Sequence, residues 1–185
     1  MRGLILLILV LASLAIVSTC TSKTTQKQKE PYMHILIKDY GEVEIKLYAQ
    51  DVPNNVKNIV QLVNKGFYNG LKFHRVIKGF VIQGGCPKGD GTGTPGYELA
   101  DEILPQLKHL KGTVAMANHG PNTNGSQFYI CLEPQPRLNG GYTIIGEVVH
   151  GMDVVEKIGD VATTGKPYDG PLNDVIMEKV WIVEK

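Results

Sequence analysis

The chain has 185 residues, 43% of them hydrophobic, and 19 Lys and Arg against 18 Asp and Glu give a formal net charge of +1. A charge so near zero excludes a binder built on an extended basic surface, so no nucleic-acid partner is expected. Three cysteines are too few for a disulfide framework, whereas 21 glycines, with Asn69-Gly70, Asn124-Gly125 and Asn139-Gly140 among the turn dipeptides, favour short strands joined by tight turns.

The chain opens with Met1-Arg2, a positive start, and is then apolar from Leu4 to Val17 except for Ser13. That run fits a signal-peptide core better than the ~20 residues of a spanning helix. Val17-Ser18-Thr19-Cys20 resembles the lipobox of prokaryotic lipoproteins, where cleavage exposes the cysteine for lipid attachment. An uncleaved N-terminal anchor is the alternative for residues 1–20. Both place the folded part outside the cytoplasm and tethered to the membrane. Residues 21–31 carry three lysines and no bulky apolar residue, which reads as a flexible tether. Residues 32–185 are the size of one domain.

Met33 to Lys38 is a short β-rich run, Asp39-Tyr40-Gly41 a turn, and Glu42 to Tyr48 alternates polar and apolar as a strand with one wet face does. Asp51-Val52-Pro53-Asn54 offers helix-start chemistry, and Val56, Ile59, Val60 and Val63 trace one apolar stripe before Gly66 stops it. Lys57, Gln61 and Asn64 suit the solvated side of a capping helix without a function of its own.

Phe73 to Gly85 contains two apolar runs either side of Lys78-Gly79. A two-residue loop would pair Ile77 with Phe80 and put Arg75 and Gln83 on opposite faces. A three-residue loop, Lys78-Gly79-Phe80, would pair Arg75 with Gln83 on one face and leave Phe80 at the corner. The second register is preferred, because it gathers guanidinium, amide and ring. His74 should alternate to the other face. The loop from Cys86 to Gly96 lacks the Gly-Lys-Ser/Thr ending of a phosphate-binding loop and reads as surface. Leu110 to Asn118 and Gln127 to Cys131 are further strand candidates.

Phe73 to Gly85 and Met116-Ala117-Asn118-His119-Gly120-Pro121-Asn122-Thr123-Asn124-Gly125-Ser126-Gln127-Phe128-Tyr129-Ile130 together resemble the cyclophilin family of peptidyl-prolyl cis-trans isomerases. The likeness runs from about Met33 to Lys185. Its remainder agrees: Leu138 to Val149 reads as a turn into a strand, Gly151 to Ile158 as a short helix on Val154, Val155 and Ile158, and Val175 to Ile182 as a closing strand. The resemblance implies a mainly β fold, a closed eight-stranded antiparallel β-barrel capped by two α-helices.

The resemblance also implies the chemistry: rotation about Xaa-Pro bonds in proline-containing peptides and unfolded protein clients, by a monomer, without cofactor or metal. Arg75 takes the catalytic role. Phe80 walls the proline pocket, Leu138 floors it, and Gln83 orients the arginine or bonds the substrate. Ala117 and Asn118 meet the residue before proline, and Gln127 lines the adjoining groove. Val81, Tyr129, Arg137 and Tyr142 stand where the best-known eukaryotic members carry methionine, phenylalanine, tryptophan and histidine. Isomerisation should survive these changes. Arg137 removes an indole donor used in tight cyclosporin binding, so weaker inhibition is expected. The alternative is a proline-segment-binding chaperone module with little turnover. The five histidines show no metal-ligand spacing, no Gly-x-Ser-x-Gly elbow is present, and Cys86 and Cys131 read as free thiols.

Overall fold

In the computed structural model, which describes residues 29–185, alternation places the first two strands. β1 (Pro31–Ile37) and β2 (Gly41–Leu47) pair antiparallel, with Ile35 opposite Val43 and Ile37 opposite Gly41. Met33, Ile35 and Ile37 are buried together with Val43, Ile45 and Leu47. β1 begins one residue inside the segment read as tether, and Glu30 extends it by exchanging backbone hydrogen bonds with Lys185. Cys20 and the leader lie outside the described residues. Glu44 corrects the wet-face expectation for β2: it is buried, because Lys185 reaches its carboxylate and His150 stands 3.9 Å away.

The other strands are β3 (Lys72–Ile77), β4 (Val81–Gly84), β5 (Thr113–Met116), β6 (Phe128–Cys131), β7 (Ile144–His150) and β8 (Val175–Glu184). They close antiparallel in the order β1-β2-β7-β5-β6-β4-β3-β8, with β8 returning to β1. The mainly β eight-stranded barrel with two helices expected from the resemblance is what the chain forms. β5 is shorter than the Leu110 to Asn118 run. Gly112, at φ +81°, turns the chain there, and Leu110 to Gly112 lie before the ladder.

α1 (Pro53–Asn64) buries Val56, Ile59 and Val63 as its stripe predicts, but Leu62 is buried too and Val60 only half-buried. Its N-cap residue is Val52, and no capping side chain comes from the neighbouring Asp51. The Glu102 carboxylate does that work from a distant loop, accepting from the backbone N–H of Asn54 at 3.2 Å and of Asn55 at 2.8 Å. α2 (Met152–Gly159) buries Val154, Val155 and Ile158 in the same core.

Strand period divides the apolar residues into two sets. Ile82, Val114, Met116, Phe128 and Ile130 fill the barrel's main core. Val81, Ala115, Tyr129 and Cys131 alternate with them on the outer face of β4, β6 and β5, forming a second cluster joined by Phe80, Ala117, Leu138 and Tyr142. The site is built on that outer cluster.

Candidate active site

The β3–β4 hairpin takes the three-residue register. Arg75 faces Gln83, Val76 faces Ile82 and Ile77 faces Val81, and Phe80 N–H donates to Ile77 O across the loop at 2.9 Å. Gly79 occupies the left-handed region at φ +70°, at the third position of the Ile77–Phe80 turn, a conformation that glycine adopts without steric cost. Below Arg75 the ladder slips: Phe73 pairs with Gly84, so His74 is an extra residue on β3. This bulge overturns simple alternation for His74, whose side chain borders the same cavity of about 700 Å³ as Arg75 instead of the opposite face. Burial, reinforced by the Arg75 charge, pushes the His74 imidazole down to about 4.

Gln83 carries the hairpin's polarity into the next strands. Its partner across β4–β6 is Tyr129, whose own partner on β5 is Ala115. Arg75 Nη1 donates to Gln83 Oε1 at 3.3 Å, Gln83 Nε2 donates to Gln127 Oε1 at 3.1 Å, and Gln127 Nε2 donates to the carbonyls of Gly91 at 2.8 Å and Gly93 at 2.9 Å. Two backbone acceptors fix which end of Gln127 is NH₂, and each amide then fixes the next. The guanidinium is therefore held by a chain of defined direction anchored in the Cys86–Gly96 loop. Gly85 lets that loop leave β4: a Cβ there would stand 2.5 Å from Ser126 O.

Beside the guanidinium lies a cavity of about 130 Å³. Phe80, Val81, Tyr129, Leu138 and Tyr142 give it apolar walls, and Arg75, Gln83, Ala117 and Asn118 complete its rim. Gln127 lines the adjoining small cavity, next to Ala117 and His119. Arg137 is the one expected residue outside this assembly. It sits with Leu138 on the one-turn helix η1 (Pro136–Leu138), where it is exposed, since neighbours in so tight a turn cannot face the same side.

The loop that brings Ala117 and Asn118 is tied to α1, the helix expected to be only a cap. Asn58, buried within it, donates to Gly125 O at 2.8 Å and accepts from Tyr97 Oη at 2.6 Å. Asn58 was missed because an asparagine in a helix interior carries no periodic signal. So was His109, which lies buried behind the cavity and meets Tyr129 Oη at 2.9 Å through Nε2. Cys86 and Cys131 are both buried and free.

The geometry is a fixed cation beside an apolar pocket of the size of a small ring. Comparison with known proteins gives the same direction. The chain is 46% identical over 146 residues to a peptidyl-prolyl cis-trans isomerase of Arabidopsis thaliana, covering 77% of this chain and 90% of that one. It is 47% identical over 131 residues to peptidyl-prolyl cis-trans isomerase B of Bacillus subtilis, covering 69% and 92%. A Cryptosporidium parvum cyclophilin crystallised in the presence of the dipeptide Ala-Pro superposes with a TM-score of 0.78 at 34% identity, over 83% of this chain and 99% of that one. Residues 32–182 match the family described as cyclophilin type peptidyl-prolyl cis-trans isomerase/CLD, and the chain belongs to that family of isomerases.

Proposed function

We propose that this isomerase acts on Xaa-Pro bonds of unfolded proteins outside the cytoplasm, as a monomer held to the membrane by its N-terminus, with Arg75 as the catalytic group. The obstacle is amide resonance, worth ~18–20 kcal/mol in a peptide bond. No covalent bond is made or broken, so the demand is to hold the proline ring and favour the twisted amide over both planar forms. The pocket of Phe80, Tyr129 and Leu138 would take the ring, with Val81 and Tyr142 at its sides. Ala117 and Asn118 would hold the residue before proline. Arg75 would donate to the prolyl nitrogen as it pyramidalises, and guanidinium suits this because it stays charged and presents donors in a rigid fork.

The observation that carries the assignment is the directed chain from Gly91 and Gly93 through Gln127 and Gln83 to Arg75. It preorganises the donor before substrate arrives, so little reorganisation is left for the twisted state. A protease-coupled assay on a short Xaa-Pro peptide, with Arg75→Ala beside the wild type, tests it. Loss of most turnover in a folded variant is expected; full activity would refute the role.

The location rests on the apolar run Leu4 to Val17 and the Val17-Ser18-Thr19-Cys20 stretch. Fractionation of cells and metabolic labelling with a fatty acid test it. Membrane association with label lost in Cys20→Ser supports the lipoprotein; membrane association without label supports the uncleaved anchor, and recovery in the cytoplasm removes both.

A further inference from the structure

We infer that His109 is a positioning residue for the proline pocket, in which its Nδ1–H tautomer cross-links the Tyr129 wall to the segment carrying Leu138. The inference rests on reading that cavity as the proline pocket. It starts from Asn139, the residue after Leu138. Asn139 Oδ1 accepts from the backbone N–H of His109 at 2.9 Å and lies 3.0 Å from His109 Nδ1. A backbone N–H can only donate, so the Asn139 atom facing it is the oxygen. An oxygen opposite Nδ1 requires the proton there. The other nitrogen, Nε2, then carries the lone pair, and the Tyr129 hydroxyl, 2.9 Å away and buried, donates to it.

Ring packing reinforces the link. His109 stacks on Tyr129 with centroids 6.0 Å apart and meets Tyr142 edge-on at 6.3 Å, while Tyr129 and Tyr142 meet edge-on at 5.7 Å. His109 O also accepts from Gln135 N–H at 2.8 Å, and the Gln135 side chain donates to Gly79 O at 3.1 Å, beside Phe80. The imidazole thus ties β6 to the turn after η1, and the backbone carbonyl of the same residue reaches the hairpin loop through Gln135.

The tie is sensitive to acid. The titratable groups facing the imidazole are the phenols of Tyr129 from β6 and Tyr142 from the segment before β7; Asn139 offers only a neutral amide. Burial lowers the His109 pKa below its ordinary 6.5, and the Asn139 bond only partly offsets this. The neutral form is therefore favoured in the folded protein, and the link is intact above the ordinary imidazole range. As pH falls through the lowered value, Nε2 gains a proton that points at the Tyr129 hydroxyl, which must then turn its own hydrogen into apolar surroundings.

The test combines imidazole ¹⁵N shifts with pH profiles of kcat/KM for the wild type, His109→Gln, His109→Phe and Arg75→Ala. The Nδ1–H tautomer is expected at neutral pH, and an acid limb in the wild-type profile. His109→Gln, which can still accept from Tyr129 but does not titrate, should keep most neutral-pH activity and lose that limb. His109→Phe should cost about tenfold in kcat/KM at neutral pH, mainly through KM, the scale of one buried hydroxyl left unpaired. An Nε2–H tautomer, an acid limb that survives His109→Gln, or a folded His109→Phe with wild-type kcat/KM overturns the inference. Should Arg75→Ala lose turnover in the same experiments, such a failure belongs to His109 alone; should Arg75→Ala stay active, the pocket reading itself falls.

Discussion

Gln83 donates to Gln127, and the sense of that bond is imposed from outside the pocket, by the two loop carbonyls that Gln127 must satisfy. The consequence is that the arginine is governed by residues that need never touch substrate. Gln127→Leu leaves the carbonyls of Gly91 and Gly93 unpaired and frees the Gln83 amide to turn its NH₂ toward Arg75. A fall of about tenfold in kcat/KM is expected, from the loss of a buried hydrogen-bond partner. Gln83→Glu should be worse, because its second oxygen would face Gln127 Oε1. Steady-state isomerase kinetics on folded variants check both, and a fully active Gln127→Leu would show that the chain does not orient Arg75.

Arg75→Lys keeps the charge and loses the planar fork. On the scale of a removed transition-state donor, on the order of 10²–10³ in kcat is expected to disappear. Near-wild-type turnover in Arg75→Lys would mean that charge alone suffices.

His74 should stay neutral through most of the acid range. Its pKa of about 4 follows from burial and the adjacent Arg75 charge. A folded value below the ordinary 6.5 means that the unfolded chain binds the proton first, so stability is full above about 6.5 and is lost as pH falls toward 4. Denaturant titrations should show this slope in the wild type and a shallower one in His74→Phe; equal slopes would contradict it.

Glu102 is expected to stabilise the fold from a distance. Burial pushes its carboxyl up, but hydrogen bonds from Asn55 and Asn54 prevail and hold it below the ordinary 4.5. Glu102→Ala should cost ~1–2 kcal/mol at neutral pH, the worth of a good N-cap. Since the folded pKa is depressed, that difference is complete above about 4.5 and shrinks as pH falls through the folded value. Urea unfolding at neutral and acid pH measures it.

Cyclosporin should inhibit weakly. Arg137 is exposed on η1 and outside the pocket lining, so no indole donor stands at that rim. Inhibition of the isomerase assay in the nanomolar range would contradict this.

Local pattern carried a good part of this protein. A β-rich run located β1, alternation located β2, and the apolar runs either side of Lys78-Gly79 located β3 and β4. The stripe on Val56, Ile59 and Val63 located α1, and the Arg75–Gln83 register followed from asking which loop length gathers the polar groups. What escaped depends on partners distant in sequence. Glu102 caps a helix 47 residues away, and His109 meets Tyr129 from 20 residues away; neither shows any periodicity. The His74 bulge escaped for another reason. One inserted residue shifts facing without changing the composition of the strand, so only pairing with Gly84 and Gln83 reveals it. Barrel closure came from family resemblance, since β1 finds β8 from the far end of the domain.

That closure bears on how the enzyme meets its substrates. A sheet with a free border offers unpaired N–H and C=O groups to any extended chain, inviting strand addition and co-aggregation. Here the pairing runs round the whole ring, from β1 through β7 and β3 back to β8. Among the described residues, a proline-containing peptide crossing the groove meets side chains and loops and finds no strand border to join. Selection of substrate is therefore left to the side chains and loops of the groove, and the strand ladder takes no part in it.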